Sequence, residues 1–337
     1  MLSLRTPYLV FLGSESDAAY AKTGIGLAYW RPDLCVGQMR LSDAAADAGL
    51  PDLSLEQAQQ AGAQSIVLGV AMVGGAIPRD WIPLLVDALE SGMDVVAGFH
   101  TRLSSFPELV DAAKRGGANL VDVRVPPADI PVGTGAKRSG RRLLTVGTDC
   151  ALGKKYTALG LAKGMTEAGM NADFRATGQT GILIAGGGVP LDAVVSDFLV
   201  GAAEMISPDN SDDHWDVIEG QGALFHPGYA PVSMGLLIGS QPDAFVVCTE
   251  AGRETIRGWD SFALPDIEAV IERTIEIGRQ FNPEIRCVGI SANTRHLDDD
   301  ARADYLAALA KRYDLPAIDP VATGVTGVVG RLQRDFS

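Results

Sequence analysis

Histidine and cysteine are scarce in this chain, with four of each among 337 residues. The cysteines lie far apart and form no C-x-x-C pair, at positions Cys35, Cys150, Cys248 and Cys287. The histidines are equally scattered, so neither residue type has the spacing of a metal site. Isolated cysteines of this kind are typical of small apolar side chains in a reducing compartment. We therefore expect a protein that requires no metal.

Long apolar runs and an excess of positive charge are missing as well. No stretch approaches the roughly 20 apolar residues of a membrane-spanning helix, and the apolar run at residues 8–12 is too short for a signal peptide. Against 42 Asp and Glu stand only 28 Lys and Arg, so the formal net charge is -14. Such a surface repels a nucleic acid but allows a small anion in a local basic pocket. We expect a cytoplasmic protein with neither a membrane nor a nucleic-acid partner.

Short β-branched runs alternate with helical patterns along the chain, which predicts parallel sheets built from β-α-β units. The alternation is interrupted at residues 125–142, where Pro, Gly and basic residues dominate. We interpret this segment as a linker between a domain at residues 1–124 and one at residues 143–337. A long loop inside one domain is the alternative. The predicted fold class is α/β, with two parallel-sheet domains.

The individual elements follow from hydrophobic periodicity and from glycine and proline positions. The predicted strands lie at residues 8–13, 65–70, 94–99, 119–123, 143–147, 172–177, 216–219, 244–248, 286–290 and 317–318. The predicted helices lie at residues 79–91, 106–115, 154–168, 192–206, 229–238, 266–280 and 298–313.

A glycine-rich turn leads from the strand at residues 143–147 into the helix at residues 154–168. Glycine lets successive N–H groups point inward, and the helix N-terminus adds positive potential. We predict that this turn holds the phosphates of a nucleotide-bearing cofactor, with a lysine as the clamp. The cofactor-binding candidates are Gly147, Thr148, Asp149, Cys150, Ala151, Gly153, Lys154 and Lys155. An ordinary strand-to-helix turn is the alternative.

The turn departs from the usual phosphate-binding pattern in two ways. Five residues rather than four separate Gly147 from Gly153. In addition, Lys155 occupies the position of the Ser or Thr that coordinates Mg²⁺. Thr157 follows two residues later, and we expect its hydroxyl to face another direction. Two lysines favour anion binding, whereas the missing hydroxyl disfavours Mg²⁺-assisted phosphoryl transfer.

Two more segments follow predicted strands of the second domain, at the end where open α/β sheets bind ligands. Glu219 precedes Gly220 and Gly222. It is a candidate metal ligand or proton acceptor, or else a carboxylate that caps a neighbouring loop. Gln179 is expected to line the same crevice, with a plain turn as the alternative.

Four segments together resemble one bacterial family long described as of unknown function. They are Gly147-Thr-Asp-Cys-Ala-Leu-Gly-Lys154, Arg175-Ala-Thr-Gly-Gln-Thr-Gly181, Glu219-Gly-Gln-Gly222 and Ala21-Lys22-Thr23. The resemblance implies a Rossmann-like N-terminal domain and a P-loop C-terminal domain similar to dethiobiotin synthetase. It also implies D-glutamate N-acetyltransferase activity in D-glutamate catabolism, with acetyl-CoA as the co-substrate. Tyr156 stands where relatives usually carry threonine.

An acetyltransferase needs a base for the attacking amine and cations for the carboxylates of an amino acid. Glu219 is the first candidate base and His226 the second, although a histidine before proline is commonly a satisfied loop residue. The candidates for carboxylate binding are Arg175, Arg253 and Arg257, because arginine forms bidentate bonds with planar carboxylates. Each of these arginines is alternatively a surface charge.

The first domain offers fewer signals. Arg102 follows a predicted strand and, with Gly74 and Gly75, is a candidate to close over the substrate. A scaffold and dimerisation role is the alternative, and we expect a homo-oligomer. Two other functions stay open: a Mg-ATP-dependent carboxylate-activating enzyme of the dethiobiotin synthetase kind, and a non-catalytic nucleotide sensor.

Overall fold

The computed structural model of the protein describes residues 4–18, 20–70 and 77–336. The chain forms two compact units. The first comprises Met1–Pro126 and Gln179–Pro190, and the second comprises Pro127–Gly178 and Leu191–Ser337. The predicted linker at residues 125–142 thus spans the boundary between the units, and most of its residues belong to the second.

The elements are numbered in chain order across the described residues. The strands are β1 Tyr8–Gly13, β2 Cys35–Arg40, β3 Ser65–Leu68, β4 Asp94–Ala97, β5 Leu120–Asp122, β6 Arg141–Gly147, β7 Ala172–Arg175, β8 Trp215–Ile218, β9 Ala244–Glu250, β10 Thr255–Ile256, β11 Trp259–Ala263, β12 Arg286–Asn293 and β13 Ala317–Ile318. The helices are α1 Lys22–Trp30, α2 Leu55–Gln60, α3 Ile82–Glu90, α4 Pro107–Gly116, α5 Lys154–Glu167, α6 Gln179–Ala185, α7 Leu199–Ile206, α8 Ala230–Ser240, α9 Ile267–Gly278, α10 Asp299–Tyr313 and α11 Thr326–Asp335.

In the first unit the described strands form a parallel sheet in the order β2-β1-β3-β4-β5. Every residue of β1 is buried, as expected for a central strand covered on both faces. Helix α6 belongs to this unit and packs beside α1. The hydroxyl oxygens of Thr23 and Thr180 lie 3.1 Å apart, and Arg31 donates to the carbonyl oxygen of Ile184 at 3.1 Å.

In the second unit the described strands form a parallel sheet in the order β13-β12-β9-β6-β8-β7. A core of strand residues such as Leu143 and Val217 packs against α5 and α11, through side chains such as Leu161 and Val328. The chain leaves β6 toward β7 and β8 on one side and later adds β9 and β12 on the other. Parallel sheets bind ligands at such a switch point, outside the carboxyl ends of the strands.

The α/β class with two parallel sheets is confirmed, and so are the predicted strands and most predicted helices, within a few residues at their ends. The helix predicted at residues 192–206 is instead two 3₁₀ turns followed by α7, because Val195 adopts an extended conformation. Seven described elements were not predicted from the sequence, namely β2, α1, α2, α6, α11 and the two strands β10 and β11. Several of these are short or glycine-rich, which weakens periodicity. Among the described residues, no helix is both long and apolar enough to cross a membrane.

Candidate functional site

The glycine-rich turn lies between β6, which ends at Gly147, and α5, which begins at Lys154. This is the predicted strand, turn and helix context. Ala151 and Gly153 have positive φ angles of 53° and 104°, which turn the backbone sharply before the helix. Within the described part of the chain, the backbone N–H groups of Ala151, Leu152 and Gly153 have no hydrogen-bond acceptor. Unpaired N–H groups ahead of a helix N-terminus form a binding site for an anion.

Lys154 is buried, and its Nζ donates to the carbonyl oxygen of Asp149 at 2.7 Å. Burial lowers the pKa of this ammonium below its ordinary value. The hydroxyl of Thr157 bonds instead to the carbonyl oxygen of Gly153 at 3.1 Å and lies 2.8 Å from Ser291 Oγ. The hydroxyl is thus engaged by Gly153 of the turn and by Ser291 of β12, and its expected orientation away from a bound phosphate stays a prediction.

The buried carboxylate of Asp149 organises the turn. It accepts hydrogen bonds from the backbone N–H of Cys150, from Arg253 Nη1 at 2.8 Å and from the backbone N–H of Arg257 at 2.9 Å. Arg253 also donates to the carbonyl oxygen of Cys150 at 2.9 Å and pairs with Glu250 at the end of β9. The β10–β11 hairpin and β9 thus fix the turn from one side. The sequence did not predict this role for Glu250, since it stands 101 residues from Asp149.

Glu219 follows β8, the strand on the other side of β6. Its Oε2 accepts from the backbone N–H groups of Thr177 at 3.0 Å and Gly178 at 3.1 Å, so Glu219 does cap a neighbouring loop. Its Oε1 has no hydrogen-bond partner in the described residues. Burial raises the pKa of this carboxyl, while the two backbone bonds and Lys155 oppose the shift.

Gly220, the residue after Glu219, packs closely against Thr145 of β6 and against Lys154. Its N–H donates to Thr145 Oγ1 at 2.9 Å, and a Cβ at this position would lie 1.7 Å from the carbonyl oxygen of Thr145. The same Cβ would be 3.1 Å from Cδ of Lys154. Only glycine fits there, and it brings the end of β8 against the lysine of the turn.

His226 is almost fully buried, at 1% exposure, in a loop that follows β8. Its ring contacts the rings of Tyr229 and Trp259, with centroid distances of 4.6 and 4.7 Å. The ligand atoms of Asp149, Cys150 and His226 all lie within 4.8 Å of one another, a spacing that a metal ion could bridge. However, a metal-bound histidine donates its second ring N–H to a neighbour, whereas Nδ1 of His226 accepts from two backbone N–H groups. The donor set therefore does not fit a metal.

The remaining candidates are distributed over both units. Arg175 is bound to the buried Asp216, with Nε 2.6 Å from Oδ1. Arg257 has an exposed side chain, and its guanidinium has no hydrogen-bond or ion-pair partner among the described residues. In the first unit, Gln179 is the first residue of α6, and Arg102 is exposed after β4. Gly74 and Gly75 lie outside the described residues.

Comparisons with known proteins agree with this architecture. A family model described as a P-loop domain of unknown function, DUF1611, matches residues 131–329, and the family's Rossmann-like N-terminal domain matches residues 38–126. A crystal structure of a DUF1611 family protein from Anabaena variabilis has a TM-score of 0.86 and 32% identity, covering 98% of this chain and 100% of that one.

Two relatives carry the name D-glutamate N-acetyltransferase. The protein from Tritonibacter scottomollicae is 46% identical over 329 residues, which is 98% of this chain and 99% of the relative. The protein from a Pseudoalteromonas species is 44% identical over 331 residues, which is 98% of this chain and 100% of the relative. The resemblance drawn from the sequence motifs is thus confirmed over nearly the whole length. The chain belongs to the DUF1611 family, in which a Rossmann-like domain precedes a P-loop domain.

Proposed function

We propose that this protein transfers the acetyl group of acetyl-CoA to the amine of D-glutamate. The observation that carries the proposal is the full-length identity of 44–46% to two relatives with that named activity. The site supports it, because the second unit combines an anion-binding turn with a buried carboxylate at the neighbouring strand end. A cytoplasmic location and a homo-oligomeric state remain predictions from the sequence.

The phosphates of the cofactor would bind at the turn between β6 and α5. Acetyl-CoA carries a 3′-phosphorylated ADP, so the N–H groups of Ala151, Leu152 and Gly153 meet an anion of the right kind. A phosphate oxygen would compete with the carbonyl oxygen of Asp149 for the Lys154 ammonium. Because Lys155 replaces the metal-binding hydroxyl, this binding mode needs no Mg²⁺.

The base of the reaction is assigned to Glu219. The amine of D-glutamate must lose a proton before its nitrogen attacks the thioester carbonyl, and Oε1 of Glu219 is the oxygen that can accept it. As the C–N bond forms, the C–S bond breaks, and the departing coenzyme A thiolate takes up the proton that the nitrogen loses on becoming an amide. A raised pKa suits this role, since a base is most effective when its pKa is close to the working pH.

A cation is also needed for the carboxylates of the substrate. Arg257 is the arginine best suited to this role, because its guanidinium is exposed while its backbone N–H is anchored to Asp149. Arg175 would first have to release Asp216, and this buried carboxylate would then lose its guanidinium partner and keep the ring of His214. We therefore place Arg257 ahead of Arg175 as a carboxylate-binding residue.

Product analysis tests the proposal directly. The protein is incubated with acetyl-CoA and either D-glutamate or L-glutamate, and the products are identified by mass spectrometry. We expect N-acetylglutamate from the D-isomer. A parallel reaction with Mg²⁺ and ATP, monitored for phosphate release, tests the carboxylate-activating alternative. Absence of acetylated product, or turnover that depends on ATP, would contradict the proposal.

A further inference from the structure

The orientation of the His226 ring is fixed by its backbone neighbours. Nδ1 accepts hydrogen bonds from the N–H groups of Gly228 at 3.0 Å and Tyr229 at 3.1 Å. An atom that accepts two hydrogen bonds carries no hydrogen of its own, so the proton of the neutral ring resides on Nε2. The rings of Tyr229, which is tilted, and Trp259, which is edge-on, pack against the His226 ring and oppose a rotation that would exchange the two nitrogens.

The Nε2–H of His226 is therefore a buried donor, and it has no hydrogen-bond partner within the described residues. It faces the phosphate-binding turn, with Asp149 Oδ1 at 3.7 Å. This separation is longer than a hydrogen bond. Oδ1 already accepts from the N–H of Cys150, and a carboxylate oxygen has a second lone pair for another donor. A normal N–H···O distance is about 2.9 Å. Nε2 and Oδ1, now 3.7 Å apart, would therefore form the bond if they approached each other by less than about one ångström.

We propose that His226 is a positioning residue of the phosphate-binding turn, and that its Nε2–H donates to the Asp149 carboxylate when the turn binds the phosphates of the cofactor. The proposal rests on the proposed function for the identity of the cofactor. In this role His226 neither accepts a proton from the substrate nor binds a metal, since Nε2 keeps its hydrogen throughout. The bond would hold Asp149 opposite Arg253 and Arg257, and so hold the turn itself.

The surroundings keep this histidine neutral. Burial lowers the pKa of His226, whereas the facing carboxylate of Asp149 opposes the shift and Lys154 adds to it. The other titratable groups that face the ring are the Cys150 thiol, whose pKa is raised by burial, and the phenol of Tyr229. A neutral donor holds the Asp149 carboxylate without adding positive charge beside Lys154.

The tautomer is measured first, because this readout needs neither substrate nor activity. The protein is labelled with ¹⁵N-histidine. Among its four histidines, His226 is identified as the one whose signals are missing in His226→Gln. We expect His226 to keep a hydrogen on Nε2 and none on Nδ1 between about pH 6 and 9, where an ordinary histidine titrates. A hydrogen on Nδ1, or a ring that becomes doubly protonated in this range, would overturn the proposal.

Two substitutions then separate a donor from a base. His226→Gln supplies an amide N–H near the position of Nε2 but cannot accept a proton, whereas His226→Leu supplies neither. Calorimetry should show acetyl-CoA binding weakened about tenfold by His226→Leu, and at most about threefold by His226→Gln. If the Gln variant binds normally but loses kcat as completely as the Leu variant, His226 is a base and the proposal fails. His100→Gln, an exposed histidine of the first unit, is the matched control.

A double-mutant cycle tests the Asp149 contact itself. In an Asp149→Ala background, His226→Leu should cause no further loss of acetyl-CoA affinity, because no side-chain oxygen remains at position 149 to accept the Nε2–H. Additive losses would show that the two residues act independently and would contradict the proposal. If wild type binds acetyl-CoA but acetylates no glutamate, the proposed function fails while these binding and tautomer readouts still decide the role of His226. A Co²⁺ absorption band that disappears in His226→Leu would instead identify a metal site.

Discussion

The ammonium nitrogen of Lys154 lies 2.7 Å from the carbonyl oxygen of Asp149, five residues earlier in the same turn. The lysine that we propose as the phosphate clamp thus bonds to the backbone of its own turn. This bond keeps a buried cation satisfied where bulk water cannot reach it. It also holds the aliphatic part of the side chain against Gly220, which leads directly to Glu219.

Replacement of the clamp should weaken cofactor binding. Lys154→Ala removes the charged donor for a phosphate oxygen, and a hydrogen bond to a charged group contributes roughly 1.5–3 kcal/mol. Calorimetric titration with acetyl-CoA measures the loss. Lys163→Ala is the control and should bind normally, because Lys163 lies on the same helix but is exposed and pairs with Glu167. Unchanged affinity of Lys154→Ala would remove the turn from the cofactor site.

Replacement of the proposed base, Glu219, should strongly slow acetyl transfer but leave acetyl-CoA binding intact. Glu219→Gln keeps an oxygen for the N–H groups of Thr177 and Gly178 but cannot accept the proton of the amine. We expect kcat to fall on the order of 10²–10⁴-fold, with little change in acetyl-CoA affinity. Steady-state kinetics and calorimetry measure the two effects, with the exposed Glu167→Gln as the control. An active Gln variant would exclude Glu219 as the base.

The pH dependence of kcat should carry the signature of Glu219. Burial raises the pKa of this carboxyl, and the base works only when it is ionised. The rate should therefore fall as the pH drops through the raised pKa of Glu219, at a higher pH than the ordinary glutamate value of about 4.3. Residual activity of Glu219→Gln should lack this limb and keep only the titration of the substrate amine. If the wild type and Glu219→Gln showed the same fall in kcat at low pH, that fall would belong to the titration of another group.

Acetyl transfer should be independent of metal. Lys155 stands where a hydroxyl would coordinate Mg²⁺, and an ammonium repels a cation. Addition of EDTA to the assay should leave the rate unchanged, whereas polyphosphate and salt should inhibit. Lys155→Thr is the converse variant and should trade acetyl-CoA affinity for Mg-ATP binding. Activity lost with EDTA and regained with Mg²⁺ would favour the carboxylate-activating alternative.

Gly220 should tolerate no side chain. In Gly220→Ala the new methyl group would meet the carbonyl oxygen of Thr145, so backbone must shift and the free energy of unfolding should fall by about 1–3 kcal/mol. Gly330→Ala in α11 meets only the flexible end of Arg334 and should instead stabilise the protein by about 0.5–1 kcal/mol. Denaturant unfolding of both variants checks the contrast. Equal stability of the two would contradict the close packing at β8.

Local patterns in the sequence predicted much of the fold and the main site. The strand, turn and helix around Gly147 and Lys154 are consecutive, so periodicity and glycine placement suffice to predict them. The same reasoning placed Glu219 at a strand end near the crevice. It failed for α6, because the helix that starts at Gln179 packs in the first unit although the sequence around it belongs to the second. A local sequence pattern does not indicate against which of two units a short helix packs.

Local sequence patterns were sufficient to predict the α/β class, the family and a glycine-rich turn in which Lys154 is followed by Lys155 rather than by a hydroxyl side chain. The side chains around that turn, in contrast, come from distant parts of the chain. Arg253 contacts Asp149 across 104 residues of chain, and His226 faces Asp149 from a different and later loop. These contacts form because the folded chain brings each donor to its acceptor at the right distance and angle, which local sequence does not specify. Two backbone N–H groups fix the tautomer of His226, and two more bond to Glu219 Oε2. Any residue except proline could supply such a group, so side-chain identity alone cannot reveal these contacts.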